Sequence, residues 1–250
     1  MAKKKKKQKT SKEEKVSIAI ITLNEEKYIE KLLKSIKAQK YPCEIIVVDG
    51  KSRDKTRKLA KKHTKNVFVL KDRNISRSRN LGGRKAKNNI IVFLDADVIL
   101  PKNFLKDNVA EFKKRKLGIA TVSIKPISPK KSDHLGCWIY NVFQRAMQFT
   151  PKPFAAGNCI MVRRDVFKKT GGFNPNVYYT DDCEFAIRAK KHRFGILHGP
   201  KILGSVRRAD KIGRPKFVFT VLRYTLRRLF VGEYTVENSM IKKNYKFGEF

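Results

Sequence analysis

The chain has 250 residues, of which 41% are hydrophobic, and it carries 59 Lys and Arg against 22 Asp and Glu, a formal net charge of +37. A chain of this length and apolar content can bury a core, so the composition excludes wholesale disorder, and its 14 glycines and 9 prolines exclude a collagen-like or low-complexity protein. The charge predicts phosphate-rich partners, namely nucleic acid, an anionic membrane or a phosphorylated small molecule, without choosing among them.

The chain opens with a basic segment. Residues 1–15 contain eight lysines and two glutamates, a pattern typical of a disordered basic arm. A secretory signal would need a hydrophobic stretch and a cleavage site after it, and a membrane-spanning helix would need an apolar run of roughly 18 residues; the sequence shows neither. Cys43, Cys137, Cys159 and Cys183 are too scattered for a zinc site or a dense disulfide framework. These features predict a cytoplasmic protein with reduced thiols.

After the arm, short β-branched runs alternate with helical patterns. The alternation predicts four strands, each followed by a helix. Four strands joined by helices indicate an α/β fold with an open, mainly parallel, doubly wound sheet flanked by helices. The predicted strands are residues 16–22, 44–48, 66–70 and 89–94, and the predicted helices are residues 25–38, 54–63, 76–87 and 101–114.

The second half of the chain is less regular. Apolar residues spaced three or four apart between Leu135 and Met147 predict a well-buried helix over residues 134–148. A last helix, over residues 215–231, has one apolar face and arginines around the rest, and two interpretations stay open for it: packing on its own domain, or lying in a membrane interface. The other elements predicted here are strands at residues 159–162 and 193–197 and a helix at residues 183–191.

Each of the first four predicted strands ends in a polar cluster that contains a carboxylate. Because ligands of open α/β sheets bind outside the carboxyl ends of the strands, these clusters predict a binding site at that edge. The clusters are Thr22-Leu23-Asn24-Glu25, Asp49-Gly50-Lys51-Ser52, Lys71-Asp72-Arg73-Asn74 and Asp95-Ala96-Asp97.

Asp95 and Asp97 form the most informative of these clusters. Two carboxylates two residues apart in extended chain point to the same side. Hard oxygen ligands on a short turn suit Mg²⁺ or Mn²⁺, which usually shares its coordination shell with substrate phosphates. The sequence lacks a P-loop, a Gly-x-Gly-x-x-Gly after the first strand and a Gly-x-Ser-x-Gly elbow. A Walker-type ATPase, a nicotinamide dehydrogenase and an enzyme with a nucleophile elbow are therefore disfavoured.

Taken together, these motifs resemble the GT-A glycosyltransferases of family 2, which transfer sugar from a nucleotide donor. The resemblance covers about residues 16–200. Besides the first, second and fourth strand-end clusters, the motifs that carry it are Ser78-Arg79-Asn80-Leu81-Gly82, Ala156-Gly157-Asn158, Arg163-Arg164-Asp165-Val166-Phe167, Gly171-Gly172-Phe173 and Asp181-Asp182-Cys183-Glu184-Phe185-Ala186-Ile187-Arg188.

The resemblance implies roles for individual residues. Asp95 and Asp97 are expected to hold Mg²⁺ or Mn²⁺ against the donor diphosphate. Asp182 is expected to be the catalytic base, with Asp181 at the preceding acidic position, in an inverting displacement at the anomeric carbon. Nucleotide-sugar binding is expected of Thr22, Asn24, Glu25, Asp49, Arg79 and Asp95.

The resemblance also divides the chain. A GT-A catalytic domain is expected over residues 16–204, with a nucleotide-sugar-binding half at 16–125 and an acceptor and catalytic-base half at 126–204. Residues 205–250 are expected to form a basic helical extension. Together with the N-terminal lysines, this extension predicts peripheral docking on anionic lipid at the cytosolic membrane face, and a lipid-linked acceptor.

Arg207 and Arg208 follow the last predicted strand, in the run Gly204-Ser205-Val206-Arg207-Arg208. Two adjacent guanidinium groups near the active-site edge predict a clamp on the diphosphate or on an acceptor phosphate, because arginine binds phosphate in a bidentate manner. A solvated turn is the alternative for this pair. The expected acceptor group is a hydroxyl or a phosphate, and the sequence does not choose between them.

Two other functions remain as alternatives. A nucleic-acid-binding protein on an α/β scaffold would interleave exposed aromatic residues with Arg and Lys, and it would leave the strand-end carboxylates unexplained, so no nucleic-acid partner is expected. A nucleotidyltransferase of related fold would share the metal aspartates, but it would carry a Gly-rich basic loop where this chain has Asn24-Glu25-Glu26.

Overall fold

The computed structural model describes residues 14–71, 73–177, 179–233 and 235. Most of the predicted basic arm, Asp72 of the third polar cluster, and residues 236–250 of the predicted extension lie outside the described residues. Within the described part, one mixed sheet contains eight strands: β1 Val16–Thr22, β2 Cys43–Asp49, β3 Val67–Val69, β4 Ile90–Asp95, β5 Val98–Ile99, β6 Ile119–Ile127, β7 Cys159–Arg163 and β8 Phe194–Ser205.

Helices cover both faces of the sheet. One face packs on α1, α2 and α4 through residues such as Leu32, Ala60 and Phe104. The opposite face packs on α6 and α7 through Phe167 and Phe185. The helices are α1 Ile29–Ala38, α2 Thr56–Lys61, α3 Ile75–Lys85, α4 Phe104–Lys114, α5 Lys131–Met147, α6 Arg164–Lys169, α7 Asp181–Ala189, α8 Arg207–Ile212 and α9 Arg214–Phe230, with a short 3-10 helix at Lys190–His192.

The first half of the sheet is parallel, as the sequence predicts. The strands lie in the order β3-β2-β1-β4, and all three neighbouring pairs are parallel. The register places Thr22 opposite Asp49, and Ile21 opposite Asp95. The carboxyl ends of three strands therefore lie level with one another, which is where the polar clusters begin.

The second half is mixed. β7 runs antiparallel to both β4 and β6, whereas β6 and β8 are parallel. The sequence analysis did not predict β5 or β6. The first five residues of β6 are all buried, including Thr121 and Ser123, so this strand lacks the polar-apolar alternation of a half-exposed strand.

The prediction that the helix over residues 134–148 is well buried is wrong. In α5, Leu135, Trp138 and Ile139 are 59%, 60% and 56% exposed. The helix is held instead by polar side chains: the Asn141 side chain accepts a hydrogen bond from the backbone N–H of Ile124 at 2.9 Å and donates one to its carbonyl at 2.8 Å. Helical spacing identifies an apolar face, but it does not decide which face meets the sheet.

Candidate active site

Asp49 organises the loop that follows β2. It is fully buried, accepts a hydrogen bond from the Thr22 hydroxyl at 3.1 Å, and accepts another from the backbone N–H of Ser52 at 2.8 Å. Asn24, which has a positive φ of 56°, accepts a hydrogen bond from the backbone N–H of Arg53 on the same loop. The predicted nucleoside-binding residues Thr22, Asn24 and Asp49 therefore lie together at the ends of β1 and β2.

The third polar cluster positions α3. Asn74 caps this helix, since its side-chain oxygen accepts a hydrogen bond from the backbone N–H of Arg77 at 2.9 Å. The cap starts α3 so that Arg79 points into the carboxyl edge of the sheet, where the guanidinium is only 3% exposed. The Asn74 cap therefore helps to place the Arg79 guanidinium, five residues later, at this edge.

The Arg79 guanidinium joins acidic residues from distant parts of the chain. Its Nη1 lies 2.6 Å from Asp181 Oδ2, and its Nη2 lies 3.3 Å from Asp95 Oδ1 and donates to the Gly157 carbonyl at 3.1 Å. The Ser76 hydroxyl also donates to Asp181, at 3.2 Å. A buried cation needs such partners, and the three that Arg79 has tie the end of β4 to the start of α7.

Asp182, the expected base, lies at the first turn of α7. Its Oδ1 accepts a hydrogen bond from the backbone N–H of Cys183 at 2.7 Å. Burial and then the Asp181 carboxylate raise the pKa of Asp182 to about 7, against the lowering effect of Arg79. A carboxylate with a pKa near neutrality is suited to accept a proton in a reaction, although part of the Asp182 surface remains accessible.

Gly157 leaves room for this carboxylate. A Cβ atom at position 157 would lie 2.5 Å from Asp182 Oδ2 and 3.0 Å from Arg79 Nη2. Because real Cβ contacts are longer than this, a side chain here would displace the carboxylate. Ala156-Gly157-Asn158 is one of the motifs that carry the resemblance, but the sequence predicted no role for Gly157. It predicted none for Ser76 either, whose partner is 105 residues away.

The predicted clamp residue Arg207 binds two acidic residues of the same edge. Its Nη1 and Nη2 donate to the two carboxylate oxygens of Glu25, each at 2.7 Å, and its Nε lies 3.0 Å from Asp97 Oδ2. The guanidinium also lies over the Tyr28 ring, 4.6 Å from its centroid. Arg207 therefore lies at the predicted edge. Arg208 is exposed and follows it in α8, and its charge opposes the rise in the pKa of Asp95.

The carboxylates at this edge raise the pKa values of their neighbours. Burial raises the pKa of Asp95 to about 6, Arg79 opposes that rise, and Asp97 adds to it. Burial likewise raises the pKa of Glu25, against the effect of Arg207 and with a contribution from Asp97. The side chain of Asp95 is still 36% exposed, so this carboxylate is accessible to a ligand.

A comparison with protein families decides the identity. The chain matches the model of glycosyl transferase family 2 over residues 17–171, well over half of its length. This chain belongs to glycosyl transferase family 2. The predicted family and the predicted transferase class are thereby confirmed, and the match favours them over the nucleic-acid-binding and nucleotidyltransferase alternatives.

Two curated relatives show how much of the chain is shared. This family 2 chain is 27% identical over 245 residues to the dolichyl N-acetyl-alpha-D-glucosaminyl phosphate 3-beta-D-2,3-diacetamido-2,3-dideoxy-beta-D-glucuronosyltransferase of Methanococcus voltae, covering 84% of this chain and 71% of the relative. It is 29% identical over 124 residues to the poly(ribitol-phosphate) beta-N-acetylglucosaminyltransferase TarS of Staphylococcus aureus, covering 46% of this chain but 22% of TarS.

Solved structures confirm the fold. The family 2 chain superposes on S. aureus TarS 1–349 in complex with UDP-GlcNAc with a TM-score of 0.63 at 21% identity, covering 76% of this chain and 58% of that one. It superposes equally well, with a TM-score of 0.63 at 24% identity, on the mannosyltransferase PcManGT of Pyrobaculum calidifontis in complex with GDP-Man and Mn²⁺, covering 78% and 57%. The chain thus spans less than two thirds of the length of these two structures, and the likeness confirms the predicted GT-A type of fold.

The family 2 site offers a divalent ion two protein carboxylates. Among the described residues, no three His, Cys, Asp or Glu side chains are grouped so that they could hold a metal ion. Asp95 and Asp97 supply the hard oxygen ligands that Mg²⁺ or Mn²⁺ favours, so they fit such an ion if a diphosphate supplies the remaining ligands and Arg207 releases Asp97.

Proposed function

We propose that this protein transfers a sugar from a nucleotide-diphosphate donor to an acceptor, with inversion at the anomeric carbon, at the carboxyl edge of β1, β2 and β4. The observation that carries the proposal is the position of Arg79, which bonds to Asp95 of the donor half and to Asp181 of the acceptor half. Arg79 therefore links Asp95, expected at the diphosphate, to the residue beside the expected base, although the two lie far apart in sequence.

The donor half is proposed to span residues 16–125. Thr22, Asn24 and Asp49 would contact the nucleoside, because they lie together at the ends of the first two strands. Asp95 and Asp97 would hold Mg²⁺ or Mn²⁺, which stabilises the negative charge that develops on a diphosphate leaving group. The structure of PcManGT with GDP-Man and Mn²⁺ supports this proposal by likeness of fold.

Arg207 is proposed to act as a clamp on the donor diphosphate, in line with the sequence-based expectation for Arg207 and Arg208. Without donor, its guanidinium neutralises Glu25 and Asp97. A diphosphate offers the same planar guanidinium a bidentate partner of higher charge. Arg207 is therefore well placed to exchange a carboxylate for a phosphate when donor binds.

Asp182 is proposed to be the general base. The acceptor oxygen forms a bond to the anomeric carbon, the bond from that carbon to the diphosphate breaks, and the acceptor proton passes to Asp182. Asp181 raises the pKa of Asp182 toward neutrality, and Arg79 holds Asp181 in place. If the acceptor is already a phosphate, its oxygen needs little help from a base.

The acceptor is proposed to be lipid-linked and to bind in the half spanned by residues 126–204. The name of the M. voltae relative, which includes a dolichyl phosphate, supports this choice. A lipid-linked acceptor is presented at a membrane surface, which agrees with a peripheral protein on the cytosolic face. Among the described residues, no helix is long and apolar enough to cross a membrane.

The proposal can be tested by thermal unfolding with a panel of nucleoside diphosphates and nucleotide sugars, with and without Mn²⁺, followed by an assay of nucleotide-sugar hydrolysis. A ligand that binds only the folded state raises the melting temperature. We expect stabilisation that requires Mn²⁺ and is lost in Asp97→Ala. In Asp182→Asn we expect the stabilisation to remain and hydrolysis to fall about 100-fold or more.

Asp165→Asn is the matched control, because Asp165 lies on α6, where it pairs with Arg163. It should keep both stabilisation and hydrolysis. Unchanged activity in both Asp97→Ala and Asp182→Asn would show that the proposed roles are wrong, and stabilisation by no member of the panel would exclude a nucleotide-diphosphate donor.

A further inference from the structure

Two helices of 17 residues, α5 and α9, leave apolar stripes uncovered. The side chains of these stripes, together with that of Phe149 shortly after α5, are 45% to 83% exposed. Within each helix they are spaced one, three or four residues apart, so they lie along one side of the helix. We call these residues the α5–α9 surface: Leu135, Trp138, Ile139, Val142 and Phe149, and Val218, Phe219, Leu222, Leu226 and Phe230.

Side chains link α9 to α5 and to the segment that follows α5. Near the beginnings of the two helices, Arg214 forms a double ion pair with Asp133, with contacts of 2.7 Å and 2.8 Å. Near the end of α9, Arg228 donates to the Pro153 carbonyl at 2.6 Å, and Lys152, also in the segment after α5, donates to the Leu229 carbonyl at 2.7 Å. Both ends of α9 are therefore fixed relative to α5, and at 1.5 Å per residue the apolar stripe covers roughly 10 Å of α5 and roughly 18 Å of α9.

The exposed charges of the two helices are positive. On α9, Lys216 and Arg223 are exposed, and the flank of α5 carries exposed Lys130, Lys131 and Arg145. The only acidic residue in either helix is Asp133, which pairs with Arg214, while Arg228 is buried and pairs with Glu233. A second copy of this chain would bring the same positive charges face to face, whereas an anionic lipid surface would complement them.

We propose that the α5–α9 surface docks on an anionic lipid bilayer, with its apolar side chains in the boundary between headgroups and acyl chains and its basic residues at the lipid phosphates. Apolar stripes flanked by Arg and Lys are the pattern by which a helix lies in the plane of a membrane interface. This inference extends the proposed function, because it identifies the surface that would bring the protein to a lipid-linked acceptor.

The surface is connected to the expected base. On the α9 side, Glu233 binds Arg228 at 3.0 Å and accepts a hydrogen bond from the hydroxyl of Thr180, the residue before Asp181. On the α5 side, the Tyr140 ring packs edge-on against Phe154, with centroids 5.6 Å apart, and the neighbouring Ala155 carbonyl lies 3.4 Å from the Sγ of Cys183, the residue after Asp182. A membrane docked on the α5–α9 surface would therefore present its headgroups on the side of the molecule that carries Asp182.

The chain carries its own probe of this docking, since Trp138 is its single tryptophan and lies within the α5–α9 surface. The full chain would be mixed with vesicles of phosphatidylglycerol and phosphatidylcholine, or of phosphatidylcholine alone, and followed by Trp emission and vesicle flotation. We expect flotation and a blue shift with the anionic vesicles only, both weakened by high salt. Ile139→Glu and Leu222→Glu should each lower partitioning about tenfold.

Val69→Glu is the control, because Val69 is 47% exposed on β3, away from the two helices. It should bind vesicles as the unchanged protein does. The donor-induced thermal stabilisation should be the same in all three variants, so that a failure of docking is distinguished from a failure of the proposed function.

Three results would overturn the proposal. The first is no flotation with anionic vesicles. The second is flotation that leaves Trp138 emission unchanged and is lost when residues 1–13 are deleted. In that case the lysine-rich arm alone would bind the lipid. The third is a dimer in light scattering without vesicles that Leu222→Glu dissociates, since the surface would then contact a second copy of the chain.

Discussion

Asp182→Asn is expected to stabilise the protein at neutral pH while it abolishes turnover. In the folded protein, burial and the Asp181 carboxylate raise the pKa of Asp182 from its ordinary 3.8 to about 7. The unfolded chain therefore releases this proton first as pH rises, so the contribution of Asp182 to stability falls between about pH 4 and pH 7 and stays constant above that range. Asparagine keeps the shape of the side chain but carries no charge, so the variant does not lose this stability as the pH rises.

The magnitude follows from the size of the pKa change. Since each pKa unit is worth about 1.4 kcal/mol, a rise from 3.8 to about 7 corresponds to a cost of about 4 kcal/mol at full effect. Part of the Asp182 surface is accessible to water, which screens its charge. We therefore expect Asp182→Asn to raise the free energy of unfolding by about 1–2 kcal/mol at pH 8, and by less at pH 5.

The assay is urea unfolding of both proteins at pH 5, 6, 7 and 8, without nucleotide. Asp165→Asn is again the control, because hydrogen bonding to Arg163 lowers the pKa of that exposed carboxylate. Its loss should cost no more than about 1 kcal/mol, and the cost should not vary between pH 5 and 8. A difference between Asp182→Asn and the unchanged protein that is independent of pH, or a less stable variant at pH 8, would refute the reasoning.

Three further predictions concern activity. Gly157→Ala places a Cβ 2.5 Å from Asp182 Oδ2, so kcat should fall on the order of 100-fold while donor-induced stabilisation remains; equal loss of both would contradict this. Arg207→Gln removes the contact with Asp97 and the diphosphate clamp, so steady-state kinetics should show KM for the donor raised about tenfold, with Arg207→Lys intermediate. Asp181→Asn removes the charge that raises the pKa of Asp182, so the acid limb of the kcat/KM profile should move to lower pH; a limb that moves to higher pH would argue against this coupling.

The elements of the first half could be predicted from the sequence because their signals are local. β1 and β4 are apolar, β-branched runs that end in polar clusters, and the register of β1 with β2 and β4 brings Thr22, Asp49 and Asp95 to one edge. β8 was predicted too short, since it continues through Gly199 and Pro200, residues that usually interrupt strands.

The partners of the site residues could not be predicted in this way. Arg79 reaches Asp181 across 102 positions, and Arg207 reaches Glu25 across 182. No periodicity links residues at such separations, because the contacts arise only when α3, α7 and α8 pack around the same edge of the sheet. The same holds for the pKa of Asp182, which depends on burial and on neighbours brought together by folding.

The sequence by itself determined the family, the parallel half of the sheet and the acidic strand ends, because hydrophobic period, turn chemistry and motif order are written in neighbouring residues. Only the tertiary structure decided which face of α5 and α9 meets solvent, which arginine neutralises which carboxylate, and how close Asp182 lies to Gly157. Those properties depend on distances and on exclusion of water, and both are set by the packing of elements that are remote along the chain.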